Sequence, residues 1–305
     1  MGPLSFLMYT SPLEDIIKSH GVDSMIYADD TQIYAFKSRK DGHNFVLSKL
    51  EACIRDIRSW STANEMKLND EKTEIIHITS RFRSATSISS LHIGNSLVEP
   101  ATSARNLGVV FDQNLNRNLH VNNICRAASH ALYKIGKIRN HLDMKTTEML
   151  VHAFVSSRID SCNSLLYGLP DCQLNKLQRI QNSAARLITR SKKFTHITPI
   201  LHQLHWLPVK SRINFKVLLL TFKCVHGIAP TYLQDLINMY TPSRSLRSSS
   251  MSLLLSPSVS TKSYGHRSFQ FSAALLWNNL PTYIKEAQTV TSFKTLLKHH
   301  LFSVI

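Results

Sequence analysis

The chain has 305 residues, 43% of them apolar, and its 36 Lys and Arg against 20 Asp and Glu give a net charge of +16. That apolar content excludes a globally disordered chain, and the length suits about two domains. No apolar run is long enough to span a membrane, so no membrane partner is expected. The positive charge favours nucleic acid as a partner over a merely soluble basic protein.

The cysteines are odd in number and widely spaced, which predicts reduced thiols in an intracellular protein, nuclear or cytoplasmic, and not a disulfide framework. The five are Cys53, Cys125, Cys162, Cys172 and Cys224. His196, His202 and His205 form a cluster, but no cysteine pair has the short spacing of a structural zinc site. We interpret these histidines as loop or phosphate-contact residues.

The first 112 residues alternate between helical and strand-like patterns. Residues 3–19 predict a helix that Pro12 kinks or ends early, and a strand–turn–strand unit around Asp29 and Asp30 follows. Residues 44–63 predict an amphipathic helix, because apolar residues recur there at intervals of four and three. Further strands are predicted over 74–79, in a hairpin at 89–99 around Gly94 and Asn95, and over 105–111.

The pattern after Asp112 is almost entirely helical, so the fold class is α+β. The first of these helices carries one apolar stripe, formed by Ile124, Ala128, Ala131, Ile135, Ile138 and Leu142. Further helices are predicted at 144–157, from an N-cap at Asp171, at 209–226, 230–239, 268–279 and 290–302. Residues 191–210 are predicted to be a loop region, and the Ser-rich stretch 241–263 a flexible linker or exposed loop.

The helix that starts near Asp171 carries four cations on one face, namely Lys176, Arg179, Arg186 and Arg190. A solvated charged face is common on any surface helix. No acidic residue is interleaved on this face, however, which favours contact with nucleic-acid phosphates instead.

The segment Tyr27-Ala28-Asp29-Asp30 lies between two short apolar runs. Adjacent carboxylates at the tip of a strand–turn–strand unit are what a divalent-metal nucleotidyl-transfer site needs, because such cations prefer carboxylate oxygens. The alternative is an ordinary surface turn, since Asp is a common turn residue. The tetrapeptide alone does not decide between these interpretations.

Taken in order, the motifs resemble the C-terminal half of a reverse transcriptase from a LINE-type (non-LTR) retrotransposon. Residues 2–9 resemble the end of the family's nucleotide-pocket motif, Tyr27-Ala28-Asp29-Asp30-Thr31 its metal-binding hairpin, and residues 60–74 its next palm block. Asn106-Leu107-Gly108-Val109 is similar to the strand that supports the primer end. The helical blocks at 161–170, 177–179, 204–208 and 271–281 extend the resemblance over nearly the whole chain.

The resemblance implies an incomplete polymerase palm, an antiparallel sheet with helices, over residues 1–115. A helical thumb-like region would follow over 116–192, and a mostly helical C-terminal region over 193–305. Asp29 and Asp30 would hold catalytic Mg²⁺, with Asp29 the better candidate for the direct ligand. Tyr27 and Ala28 would bind nucleic acid, with Ala28 beside the primer terminus. Lys72 would steer the phosphates or protonate the pyrophosphate, unless it is a solvated turn residue.

The implied reaction extends a DNA primer on an RNA template by attack of the 3′-hydroxyl on a deoxynucleotide. The family's third metal-binding Asp, which lies upstream of the hairpin, has no counterpart here, because only Glu14, Asp15 and Asp23 precede Asp29. We therefore expect a truncated reverse-transcriptase homologue that is inactive alone. A non-catalytic nucleic-acid-binding remnant and a protein that keeps only the fold stay open as alternatives.

Overall fold

The computed structural model describes residues 2–37, 43–80, 90–94, 96–241, 252–261 and 263–304. The chain divides into two compact units, Met1–Asn114 and Leu115–Ile305. The first mixes helices with short strands and the second is built almost entirely of helices, so the α+β class is confirmed. The predicted division into three polymerase regions stays a prediction.

The first unit opens with two short helices and a hairpin. Helix α1 (Gly2–Thr10) ends before α2 (Pro12–Ser19), which has Pro12 in its first turn, so the expected early break at this proline is confirmed. Strands β1 (Asp23–Tyr27) and β2 (Asp30–Tyr34) then pair antiparallel, and α3 (His43–Ala63) follows.

The core of the first unit lies between α2, α3 and the hairpin. Leu13 and Ile17 of α2 and Cys53 and Ile57 of α3 are buried, and one face of the hairpin packs on them through Ile26 and Ile33. The core side chains of α2 and α3 recur at four-residue intervals, which is the spacing that places them on one face of a helix.

The remaining strands of the first unit pair two at a time. Beyond a 3₁₀ turn at Asp70–Lys72, β3 (Ile75–Ile76) pairs in parallel with β6 (Pro100–Ala101), and β4 (Leu91–Ile93) pairs antiparallel with β5 (Ser96–Val98). The expected hairpin at 89–99 is confirmed, although Asn95 lies outside the described residues. Within the described ranges these pairs do not join into one antiparallel sheet.

One predicted strand is wrong. Residues 105–111 form parts of two antiparallel strands, β7 (Ser103–Asn106) and β8 (Val109–Asp112), with Leu107 and Gly108 between them. Both of these residues have positive φ, at +44° for Leu107 and +83° for Gly108. That pair of values is the signature of the tight two-residue turn that joins hairpin strands.

The second unit begins with α4 (Asn118–Ile138), α5 (Met144–Val151) and, after a π turn, α6 (Ser157–Asp160). Helices α7 (Asp171–Thr189), α8 (Ile197–Gln203), α9 (Val209–Val225) and α10 (Thr231–Gln234) come next. The last three are α11 (Phe269–Asn278), α12 (Thr282–Lys285) and α13 (Val290–Ser303).

Three details of the second unit differ from expectation. The predicted loop 191–210 contains α8, and the predicted helix 230–239 shortens to α10, which ends at Gln234. Asp171 is the first helical residue and not the N-cap, a position that Pro170 occupies. Of the Ser-rich stretch, residues 242–251 and 262 lie outside the described part of the chain.

Two apolar cores lie in the second unit, and α9 contributes to both. The first gathers Ala128 of α4, Leu177 and Ile188 of α7, Trp206, and Ile213 of α9. The second stacks Phe222 of α9 on Phe293 of α13, with ring centroids 4.2 Å apart, and places Trp277 of α11 beside them. Burial of such side chains contributes about 1.5–3 kcal/mol each. Because α9 supplies side chains to both cores, it connects them.

Candidate nucleic-acid interface

The hairpin places the two predicted metal ligands at its apex. Tyr27 pairs with Asp30, which leaves Ala28 and Asp29 as the two residues of the turn. Both carboxylates are exposed to solvent. Ala28 has a left-handed φ of +51°, a conformation that costs a residue with a Cβ about 1 kcal/mol. The predicted strand–turn–strand unit is therefore confirmed, and its apex carries backbone strain of the kind found at functional sites.

The two faces of the hairpin differ in character. Ile26 and Ile33 face the core of the first unit, whereas Tyr27, Asp30 and Tyr34 lie on the opposite, open face. Tyr27 is 38% exposed and Tyr34 is 42% exposed. Asp30 thus shares its face with accessible aromatic rings.

The apex fits only part of the ligand set for two magnesium ions. Carboxylate oxygens are the correct donors for a hard cation, and Asp29 and Asp30 are neighbours. In the described ranges no three His, Cys, Asp or Glu side chains form a group that could hold a metal ion. Asp23 lies on the same face as Asp30, but it stands four residues before Tyr27, about 13 Å along the strand. The pair could hold one cation, with water completing its coordination.

Lys72 lies in the 3₁₀ turn at Asp70–Lys72 and is exposed. No hydrogen bond or ion pair joins it to Asp29 or Asp30 among the contacts of the described residues. Its turn is held to α3 instead, because Arg58 forms an ion pair with Asp70. The hydrogen bond that the Arg58 guanidinium donates in this pair lowers the pKa of the Asp70 carboxyl. The role of Lys72 in catalysis stays a prediction.

The net charge of the chain resides entirely in its second unit. Residues 115–305 contain 24 Lys and Arg and 6 Asp and Glu, a net charge of +18, whereas residues 1–114 contain 12 and 14, a net charge of −2. Such an excess repels itself unless an anionic partner neutralises it. The helical unit is therefore the part of the chain suited to a polyanion.

Helices α4 and α7 pack side by side and run parallel. Near their amino ends Lys176 Nζ donates a hydrogen bond to Asn122 Oδ1 at 2.9 Å. Near their carboxyl ends Arg139 Nη2 donates to the carbonyl oxygen of Ile188 at 2.7 Å. Because the two helices run side by side, their exposed faces adjoin and present one surface.

That surface is cationic because almost no acid interrupts it. Helix α4 contains no Asp or Glu, and α7 contains only Asp171, whose carboxylate lies 3.7 Å from Lys210 Nζ. Four exposed cations, which we call the α4–α7 cationic surface, are Arg126, Lys137, Lys176 and Arg179. Helix α7 spans 19 residues, about 28 Å, which is long enough to follow several consecutive phosphates.

The four cations predicted on one face of α7 divide into two pairs, and Arg190 lies just beyond the helix as its C-cap. Lys176 and Arg179 are exposed, and the side chain of Arg179 makes no hydrogen bond or ion pair within the described residues. Arg186 Nη2 donates to the carbonyl oxygen of Thr195 at 3.1 Å, and Arg190 Nη2 donates to that of Arg139 at 3.3 Å. Arg186 and Arg190 thus support the backbone, and phosphate contact by them stays a prediction.

Arg139 is the residue that sequence reasoning missed. It is only 7% exposed and donates hydrogen bonds to the carbonyl oxygens of Leu142, Leu187 and Ile188 at 2.7, 2.8 and 2.7 Å. Burial, and then the nearby Arg190, lower the pKa of its guanidinium. The sequence does contain a signal for its burial, because Arg139 follows Ile135 by four residues and therefore continues the apolar stripe of α4.

Comparison of the chain with protein-family models, with curated proteins and with solved structures finds no match. The helices that the structure describes are each too short or too polar to cross a lipid bilayer.

Proposed function

We propose that this chain binds the backbone of nucleic acid through the α4–α7 cationic surface, and that it is a homologue of LINE-type reverse transcriptases. The observation that carries the binding function is the charge distribution, with +18 on residues 115–305 and −2 on the remainder. Backbone contacts of this kind position a protein on nucleic acid without reading base sequence.

The proposal makes a quantitative prediction about salt. Each neutralised phosphate contributes about −0.7 to the slope of log K against log salt for single strands, and about −0.9 for duplex DNA. If the four cations of the α4–α7 cationic surface each neutralise one phosphate, a fourfold rise in salt weakens binding about 50- to 150-fold. A basic protein without a dedicated surface has no reason to lose this dependence when these four residues alone are changed.

The test is fluorescence anisotropy with labelled oligonucleotides over about 50–200 mM salt. The surface variant combines R126Q, K137Q, K176Q and R179Q, and the matched control combines K145Q, K216Q, K294Q and K298Q. All eight residues are exposed and lie in the same unit, so both variants lose the same charge. We expect the surface variant to flatten the slope by about 3 and the control to leave it nearly unchanged. Equal effects, or no binding by the unaltered chain, contradict the proposal.

A second candidate function is RNA-directed DNA polymerisation, which the strained hairpin apex favours. Asp29, with Asp30 as the lesser ligand, would hold Mg²⁺, and Tyr27 and Ala28 would contact nucleic acid, with Ala28 beside the primer end. When bound, the metal would activate the primer hydroxyl and stabilise the leaving pyrophosphate. Because the hairpin apex offers two carboxylates, which is too few for two Mg²⁺ ions, we expect template–primer binding without extension. Extension with deoxynucleotides and Mg²⁺ that D29A abolishes would establish the polymerase.

A further inference from the structure

Phe194 is the most exposed large apolar side chain in the described part of the chain, with 92% of its surface open to solvent. It lies in the segment between α7 and α8, among Lys192, Lys193 and Thr195. Exposure of a whole phenyl ring costs the hydrophobic free energy that burial would return, about 1.5–3 kcal/mol. Single exposed apolar side chains are common on protein surfaces, so the role of this ring is judged from the residues around it.

Hydrogen bonds shape the backbone on both sides of this ring. The N–H of Thr195 donates to the carbonyl oxygen of Lys192 at 3.1 Å, which closes a turn with Lys193 and Phe194 at its centre. Arg186 Nη2 bonds the carbonyl oxygen of Thr195 at 3.1 Å on one side of the turn. On the other side the Thr189 and Ser191 hydroxyls lie 2.7 Å apart. Hydrogen bonds therefore flank the turn on both sides, and Phe194 is one of its two central residues.

The surroundings of the ring are cationic. Lys193 Nζ lies 5.7 Å from the centroid of the Phe194 ring, and Lys192 is exposed beside it. Phe194 is the only apolar residue between Arg190 and His196. A protein partner would usually need a contiguous apolar patch. A single aromatic face flanked by cations is instead the arrangement on which an unpaired base stacks while its phosphates meet the lysines.

Resting on the proposed function, we propose that Phe194 is a base-stacking residue and that the second unit prefers single-stranded nucleic acid to duplex. A strand that follows the α4–α7 cationic surface toward the carboxyl end of α7 reaches the turn directly after Arg190. Bases in a duplex are already stacked and paired, so the Phe194 ring has no base face to contact there. The cations can contact phosphates of single-stranded and duplex nucleic acid alike, whereas the Phe194 ring can stack only on a base of a single strand.

The test compares F194A with the unaltered chain on a single strand of about 12 nucleotides and on a duplex of equal length. Base–aromatic stacking predicts a five- to 150-fold loss of single-strand affinity, and duplex affinity should stay within about twofold. F154A is the control, because Phe154 is also exposed, at 49%, but lies on the π turn after α5. F194W should give fluorescence quenching on single-strand binding beyond that of the unaltered chain.

The outcomes separate this inference from the function beneath it. Absence of oligonucleotide binding by the unaltered chain removes both proposals. Salt-dependent binding that F194A leaves unchanged, or lowers equally for single strand and duplex, overturns the stacking role while the cationic surface stands. If F194A loses binding to vesicles of anionic lipid while its oligonucleotide binding stays intact, Phe194 is assigned to membrane contact and the inference is overturned as well.

Discussion

Replacing Arg139 by alanine should weaken the second unit more than replacement of any exposed cation. The Arg139 guanidinium donates to three backbone carbonyls, two of them in the last turn of α7. Helix carboxyl ends leave such carbonyls without intrahelical partners, and Arg139 supplies the donors here. In R139A those oxygens would face a cavity that the surrounding side chains largely close to water.

The magnitude follows from the number of hydrogen bonds. A hydrogen bond to a charged group contributes about 1.5–3 kcal/mol net, and three of them set an upper range for the loss. Removing the guanidinium also removes the cost of burying its charge, which offsets part of that sum. We therefore expect a loss of about 3–5 kcal/mol in the free energy of unfolding. Domains are stable by about 5–15 kcal/mol, so this is a large fraction of the free energy of unfolding.

The assay is urea unfolding of the full chain in a W60F background. Trp60 is the only tryptophan of the first unit, so the remaining fluorescence comes from Trp206 and Trp277, both buried in the second. With an m value of about 2 kcal/mol per molar urea, the midpoint should fall by about 2 M. R179A, an exposed change on α7, should stay within about 0.5 kcal/mol. A loss below about 1 kcal/mol in R139A would refute the capping role.

Two further predictions concern stability. The hydrogen bond from Arg58 lowers the pKa of Asp70, so the charged carboxylate stabilises the first unit above its ordinary pKa and that stabilisation disappears as the pH falls through the lowered value. Thermal unfolding against pH should therefore show a shallower acid limb in D70N, and an unchanged limb would contradict the pairing. Thr289 and Ser292 form a capping box at the start of α13. T289A should cost about 1 kcal/mol in chemical unfolding and T289S much less, whereas equal losses would argue against the cap.

Much of the local structure follows from the sequence alone. The four-residue recurrence of buried side chains in α3 and the proline after α1 mark helix bounds without tertiary information. The flanking apolar runs likewise predicted a strand–turn–strand unit around Asp29 and Asp30, and the structure places Asp29 in its two-residue turn and Asp30 at the start of β2. The turn at Leu107 and Gly108 was missed because Leu107 and the apolar run 109–111 suggested one continuous strand, although Gly108 permits a positive φ.

For the candidate site, the sequence determined which charged residues are present, and the fold determined which of them are exposed and which lie together. The amino acids themselves determined the excess of cations after residue 115 and the pair of carboxylates at Asp29 and Asp30. Only the tertiary structure decided that Arg186 and Arg190 bond the backbone, that α4 lies parallel to α7, and that the Phe194 ring stands in water. Periodicity reports the face of a single helix, whereas these features join residues as far as 54 positions apart, and only packing brings such residues together.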